Sequence, residues 1–401
     1  MGRENSTGLR VDRPPESPAR FPARTARDVA MTTSPATALG ISAIAIHQPA
    51  WELENGWFGD AMPRKFAHHT GIESRGISLD DEVMMGLHAI RRIQRQTGCD
   101  LAACRGLVFV SPSLIPPSVA QRYLDPDQAA AERPARAARQ LARSFGMRRC
   151  RAIGLNWFCC GYSRAVSLVH ARLAPRLALD RDEFLLVVVA TRISRITDYA
   201  CGQTAGLFGD MASATLIAPV ASRRHPVHFE ILHAHAERQP VERPAFDFHV
   251  RPAVPVPAPD GGRAIAAERL VYALDGMAIA ETAPRAMSAA VARALSACGL
   301  SGGDVSHVVP HQAGTGIVRF TGMKLEELGI TAEVVNGLVR RTGNVSACSI
   351  PHALHETWGR LRGLVACPNA AVGSPGRPEV LQGCILLRST PHHERPSHAA
   401  A

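Results

Sequence analysis

An α/β fold assembled from two repeated halves is what this sequence predicts, and three observations carry that expectation. The chain has 401 residues, 46% of them apolar, enough for one large α/β domain or two fused halves with ample core. Short apolar segments deliver loops at corresponding places, Leu107–Val110 early and Ser306–Pro310 late. A turn that opens a helix also occurs twice, at Phe158–Val169 and at Asn344–Leu354, and Ala214–Ala218 and Gly383–Leu387 occupy equivalent closing strands. This weak duplication is what two fused β-α-β-α-β halves would give.

Composition narrows the function classes. The formal net charge is +10, yet lysine occurs only at 65 and 324, so the basic residues are nearly all Arg. They are dispersed and no recognition motif accompanies them, which argues against nucleic-acid binding; a basic surface still suits an acidic carrier protein or the phosphates of coenzyme A. No apolar run is long enough to span a bilayer, so no membrane role is expected. Ten cysteines stand at irregular spacing with no C-x-x-C pair. That pattern predicts reduced thiols in a cytoplasm, and neither a zinc site nor a disulfide scaffold.

Along the chain, residues 1–30 are rich in Arg, Pro, Ser and Thr without periodicity, and are expected to be a disordered leader or to precede a true start at Met31. The first half is expected over 31–219, beginning with an apolar strand at Gly40–Ala45. Residues 125–143, rich in Ala and Arg, predict an added or lengthened helix with a solvated charged face. Leu185–Ala190 predicts a buried strand, and Asp210 a turn and packing residue rather than an acid catalyst. The second half is expected over 220–389. Its opening, 220–265, is dense in His, Pro and Arg and is expected to be an irregular cap over the site. Metal binding by His225, His228, His233 and His235 is set aside, because they lack Cys partners and a helical i, i+4 pair. A helix is expected from Ala278 to Leu295, and a disordered tail over 390–401.

Chemistry concentrates at Gly154-Leu155-Asn156-Trp157-Phe158-Cys159-Cys160-Gly161-Tyr162. Arg151–Leu155 ends a short strand, while Tyr162, Ala165, Val166, Val169 and Leu173 recur at helical spacing from about Gly161. A cysteine between strand end and helix start faces free N–H groups and the positive end of the helix dipole. Both favour the nucleophilic thiolate. Gly161 would leave room for a substrate carbonyl to approach the backbone. The opposing reading is a cysteine pair packed as small hydrophobes. Three further stretches accompany it: Val308-Val309-Pro310-His311-Gln312-Ala313, Thr342-Gly343-Asn344-Val345-Ser346-Ala347-Cys348-Ser349-Ile350-Pro351 and Leu207-Phe208-Gly209-Asp210-Met211-Ala212-Ser213-Ala214.

In order and wording these motifs resemble the β-ketoacyl-acyl-carrier-protein synthase III branch of the thiolase-like condensing enzymes, from about Gly40 to about Leu387. The resemblance implies a thiolase-like fold with its halves in five layers, α-β-α-β-α. It implies a catalytic triad of Cys159, His311 and Asn344, the cysteine from one half and its partners from the other. Phe66-Ala67-His68-His69-Thr70-Gly71-Ile72-Glu73-Ser74-Arg75 resembles the family segment that contacts coenzyme A; Thr70 and Arg75 match, while His69 replaces an Arg and the Trp is missing. The oxyanion hole would use the Cys159 backbone N–H with Gly373 or Gly376, because the family's G-F-G-G-G-like loop corresponds here to 367–376, where Pro375 has no N–H to give.

The expected function is that of an acyltransferase in fatty-acid, polyketide or secondary metabolism. Cys159 would take an acyl group from coenzyme A or a carrier phosphopantetheine, with no permanently bound cofactor. The acyl group would then condense with a malonyl-type thioester in a decarboxylative Claisen reaction, His311 and Asn344 donating to the thioester carbonyl. One alternative is transfer to a hydroxyl or amine of a natural product without decarboxylation. Another is a non-catalytic partner subunit of a second ketosynthase. A homodimer is expected, or a heterodimer with a related synthase.

Overall fold

The computed structural model describes residues 38–394 apart from 116, 123–132, 203, 253, 259 and 267–268. The leader expected over 1–30 and most of the tail lie outside the described residues. Ten strands form the main sheet: β1 (Leu39–His47), β2 (Cys104–Val110), β3 (Arg151–Leu155), β4 (Phe184–Thr191), β5 (Met211–Pro219), β6 (Phe229–Pro240), β7 (Val305–Val308), β8 (Glu333–Val334), β9 (Leu364–Val372) and β10 (Glu379–Ser389). Their order across the sheet is β8-β7-β9-β10-β6-β1-β5-β4-β2-β3.

The duplication is explicit in that order. Within the first five strands the order is 3-2-4-5-1, and within the second five it is 8-7-9-10-6, the same permutation. Strand directions repeat too. β2 is parallel to β3 and β4, and β5 antiparallel to β4 and β1. β7 is likewise parallel to β8 and β9, and β10 antiparallel to β9 and β6. The halves meet where β1 pairs with β6 at Gly40–Glu230 and Ile41–Phe229.

Side-chain alternation turns the two half-sheets into five layers. Leu107 and Phe109 of β2 and Leu186 and Val188 of β4 face outward onto helices α1 (Glu82–Thr97) and α2 (Pro134–Ser144), meeting Met85, Ile93 and Leu141. The alternate residues Val108, Val110, Leu185, Val187 and Val189 face α3 (Gly161–Leu168). From the other half, Val365, Cys367, Ile385 and Leu387 join that central layer, which also holds Ile350 and Leu354 of α6 (Ser349–Thr357). Leu364, Ala366 and Leu386 face outward onto α4 (Gly276–Ala297) and α5 (Thr315–Glu326). The expected thiolase-like α-β-α-β-α arrangement follows from these clusters. Since α3 and α6 lie in the middle layer, both helix-opening turns start in the interior between the half-sheets.

Two expectations are revised. The irregular cap over 220–265 gives way to β6, a core strand of 12 residues, followed by short strands. Phe246–Arg251 pairs with Arg269–Leu274, and Val254–Pro257 with Arg263–Ala266. In β6 the alternation of Phe229, Ile231 and Ala234 with Glu230 and His233 was masked by small and ambivalent residues. The helix expected over 125–143 is α2, which starts at Pro134; Arg136, Arg139 and Arg143 are exposed and Ala137, Ala138 and Leu141 buried. Proline suits that first helical position, where no intrahelical N–H bond is lost.

Candidate active site

Cys159 lies in a single 3-10 turn, Phe158–Cys160, between the end of β3 and the start of α3. Phe158 takes φ 43°, a costly value for an aromatic residue. Asn156 holds it there: Oδ1 accepts the Phe158 N–H at 3.0 Å, while Nδ2 donates to the carbonyls of Pro112 and Leu114. Gly161 serves packing rather than substrate approach, since a Cβ there would lie 2.4 Å from Val110 Cγ1 and the residue is buried.

The second half repeats the device. A 3-10 turn at Ser346–Cys348 precedes α6, Ser346 takes φ 48°, and Asn344 Oδ1 accepts the Ser346 N–H at 2.9 Å. Asn344 is anchored by its N–H to Leu207 O and its carbonyl to Gly209 N–H. Glycine at 209 is required, because a Cβ would lie 2.0 Å from Thr342 O. The two asparagines differ in one respect. Asn156 spends its Nδ2 on backbone carbonyls, whereas Asn344 Nδ2 has no hydrogen-bond partner among the described residues.

His311 follows β7 and is 3% exposed, its N–H donating to Pro368 O at 2.9 Å. Burial pushes its imidazole down to about 4, so it is neutral at physiological pH. Nδ1 is sheltered and lacks a partner, which favours the tautomer carrying its proton on Nε2.

One cavity of about 710 Å³ is lined by Cys159, His311 and Asn344 together. Ile193, Ile196, Phe208, Phe246, Tyr272 and Val380 make much of its apolar wall. Ser346, quoted in the sequence motif without a role, also lines it, and its Oγ donates to Cys159 Sγ at 3.4 Å. Cys159 does not rest as the expected thiolate. Burial pushes its thiol up to about 11, outweighing the Ser346 hydroxyl and the residue's own N–H, which pull it down. Desolvation penalises the anion more than these two donors favour it. Alkylation of Cys159 by iodoacetamide, followed site by site with mass spectrometry, should therefore accelerate about tenfold per pH unit from pH 7 to 9.5. A plateau already reached at pH 7 would contradict a thiol in the resting state.

The other expected site residues divide. Thr70 borders the cavity, with His69 beside it, and its Oγ1 donates to Phe66 O and accepts the Ile72 N–H. Arg75 is no coenzyme A ligand. It is fully buried, stacks 5.0 Å over Phe58, and donates to Leu53 O, Asn55 Oδ1 and Gly206 O. Nor do the glycines supply an oxyanion donor. The Gly376 N–H is bonded to Phe246 O, and Gly373 borders a separate cavity of about 190 Å³ in the β9–β10 turn. The region matched to the family's glycine loop is mostly strand β9, paired along its length with β10.

Asp210 is buried, accepting from the Ser78 N–H, the Ser194 N–H and the Ser194 hydroxyl, and desolvation still pushes its carboxyl up to about 6. Outside the residues that line the cavity, His47, Asp80 and His88 gather with His88 Nε2 3.4 Å from Asp80 Oδ2, a half-exposed cluster drawn from β1, a loop and α1.

Comparison with known proteins agrees with this architecture. The family described as 3-oxoacyl-[acyl-carrier-protein] synthase III C terminal matches residues 295–362, the segment holding His311 and Asn344. A β-ketoacyl-[acyl-carrier-protein] synthase III of Geobacillus kaustophilus is 27% identical over 72% of this chain and 78% of its own length. The crystal structure of 3-oxoacyl-[acyl-carrier-protein] synthase III from Aquifex aeolicus superposes with TM-score 0.59 at 20% identity, covering 87% of this chain and 99% of that one. OleA of Xanthomonas campestris, solved with bound lauric acid and lauroyl-CoA, gives TM-score 0.63 at 14% identity, covering 88% and 99%. No helix among the described residues is long and apolar enough to cross a membrane. With the duplicated five-layer thiolase-like fold and these relatives, the chain is similar to the β-ketoacyl-[acyl-carrier-protein] synthase III enzymes.

Proposed function

We propose that the chain forms an acyl thioester on Cys159 and condenses it with a malonyl-type thioester, with His311 and Asn344 as the carbonyl donors. The observation that carries this reading is the cavity that Cys159, His311 and Asn344 line together. As Cys159 attacks, the sulfur–carbon bond forms and its proton must leave, since the resting group is a thiol. That proton passes to the departing thiolate of the acyl donor, which leaves as a thiol, because His311 already carries a proton on Nε2 and its Nδ1 is sheltered. The malonyl thioester then enters with its carbonyl toward His311 Nε2–H and Asn344 Nδ2–H. Its carboxylate departs as carbon dioxide, and the enolate left behind is held by those two donors. The enolate carbon bonds to the acyl carbon, the bond to sulfur breaks, and Cys159 leaves as a thiolate that takes a proton from solvent to return to the thiol.

Substrates are coenzyme A or carrier-protein thioesters, and no resident cofactor or metal enters the scheme. A homodimer is supported by β3, which has a pairing partner on one side only among the described residues and carries half-buried Ile153 and Leu155.

The test is to load Cys159 with an acyl group, remove excess donor and add malonyl-coenzyme A or malonyl-carrier protein. Condensation releases one carbon dioxide per acyl group lost. Loss of the adduct to a hydroxyl or amine acceptor with no carbon dioxide would replace this reading with simple acyl transfer.

A further inference from the structure

Strand β9 places Val365 and Cys367 in the apolar central layer, and Asn369 continues that inward series. It is fully buried. Its Oδ1 has no hydrogen-bond partner, so burying an amide here costs free energy that an apolar side chain would avoid. Its Nδ2 donates at 2.9 Å to Ser163 Oγ, in the first turn of α3, and at 3.5 Å to the carbonyl oxygen of Cys159. The strand opposite is shaped to admit it: the paired residue is Gly383, where a Cβ would lie 3.0 Å from Asn369 Oδ1 and 2.6 Å from His235 O.

The turn it touches needs holding. Phe158 is strained at φ 43°, and Asn156 fixes only its N–H side. Asn369 reaches the other end, from the second half of the molecule. Ser346, from the same half, meets the sulfur itself at 3.4 Å.

We propose that Asn369 is a positioning residue: it grips the Cys159 carbonyl and the opening turn of α3, keeping the sulfur aimed into the cavity it shares with His311 and Asn344. The proposal rests on Cys159 as the nucleophile. A strained turn persists only where its surroundings over-determine it, and Asn369 is the polar contact on its C-terminal side. Without the amide, the turn relaxes and the sulfur samples orientations that do not face the acyl donor.

Single-turnover acylation of Cys159 separates orientation from stability. Asn369→Ala should lower the acylation rate constant at least about tenfold while the half-saturating donor concentration stays unchanged, because a near-attack geometry is lost rather than a binding contact. Asn369→Ser, whose shorter hydroxyl can still donate, should fall between Ala and wild type, and it carries the test if the Ala variant does not fold. A lowered melting temperature with wild-type acylation rates in the folded variants would overturn the proposal and leave Asn369 a packing residue. If wild-type protein itself forms no adduct at Cys159, the nucleophile reading fails instead, a result distinct from equal rates in wild type and variants.

Discussion

Replacing His311 with Ala should slow condensation by about 10²–10³-fold, the usual cost of removing one donor from a developing oxyanion. His311 is held neutral by desolvation and, with Nδ1 sheltered, keeps a proton on Nε2. A neutral donor faces the malonyl carbonyl without first having to lose a charge, so it works over the whole range above about pH 4. Loss of carbon dioxide shifts negative charge onto the thioester oxygen, where the Nε2–H bond strengthens as the transition state is approached. That differential is what accelerates the step. The readout is carbon dioxide release by pre-acylated enzyme in a single turnover. Asn344→Ala should act in the same direction, and the double variant should lose less than the product of the two effects, because both donors serve one oxygen. Condensation at the wild-type rate in His311→Ala would remove the residue from the chemistry.

Arg75→Ala should destabilise the protein by at least about 3 kcal/mol, by stranding buried acceptors and leaving a cavity where a charged hydrogen-bonding group stood. The guanidinium joins Leu53 O, Asn55 Oδ1 and Gly206 O, segments far apart in sequence, and packs on Phe58. Desolvation lowers its pKa only to about 10, so it remains charged at neutral pH. Arg75→Lys would keep the charge but lose the planar fork that reaches several acceptors, and should recover only part of the stability. Urea denaturation measures the loss. A variant that melts normally but needs far more acyl-coenzyme A to reach half-saturation would return Arg75 to the ligand role its motif suggested.

These two residues also show where the sequence was legible. His311, Asn344 and Cys159 stand in short contiguous motifs whose residue types are tied to strand ends and helix starts, and the chain brings all three to one cavity. The five layers follow from alternation within β2, β4, β9 and β10, which is plain in runs such as Phe184–Thr191. Arg75 was illegible because its neighbours come from 53, 55, 58 and 206, and no local pattern separates a buried guanidinium from a surface one. Strand β6 was hidden by histidines and alanines at alternating positions, which weaken the period. The thiol state of Cys159 could not be read from a helix start alone, since the dipole is local and the desolvation around the sulfur is set by distant side chains. Gly376 failed as an oxyanion donor for a similar reason: its N–H is taken by Phe246, about 130 residues earlier in the chain.

The most direct measurement of the central claim is the intact mass of wild type and of Cys159→Ala after incubation with a panel of acyl-coenzyme A and acyl-carrier donors. The account predicts a donor-specific mass increase of one acyl group on the wild type and none on the variant. Folded wild-type protein that takes up no acyl group from any donor, or a variant that acquires the same adduct, would contradict it.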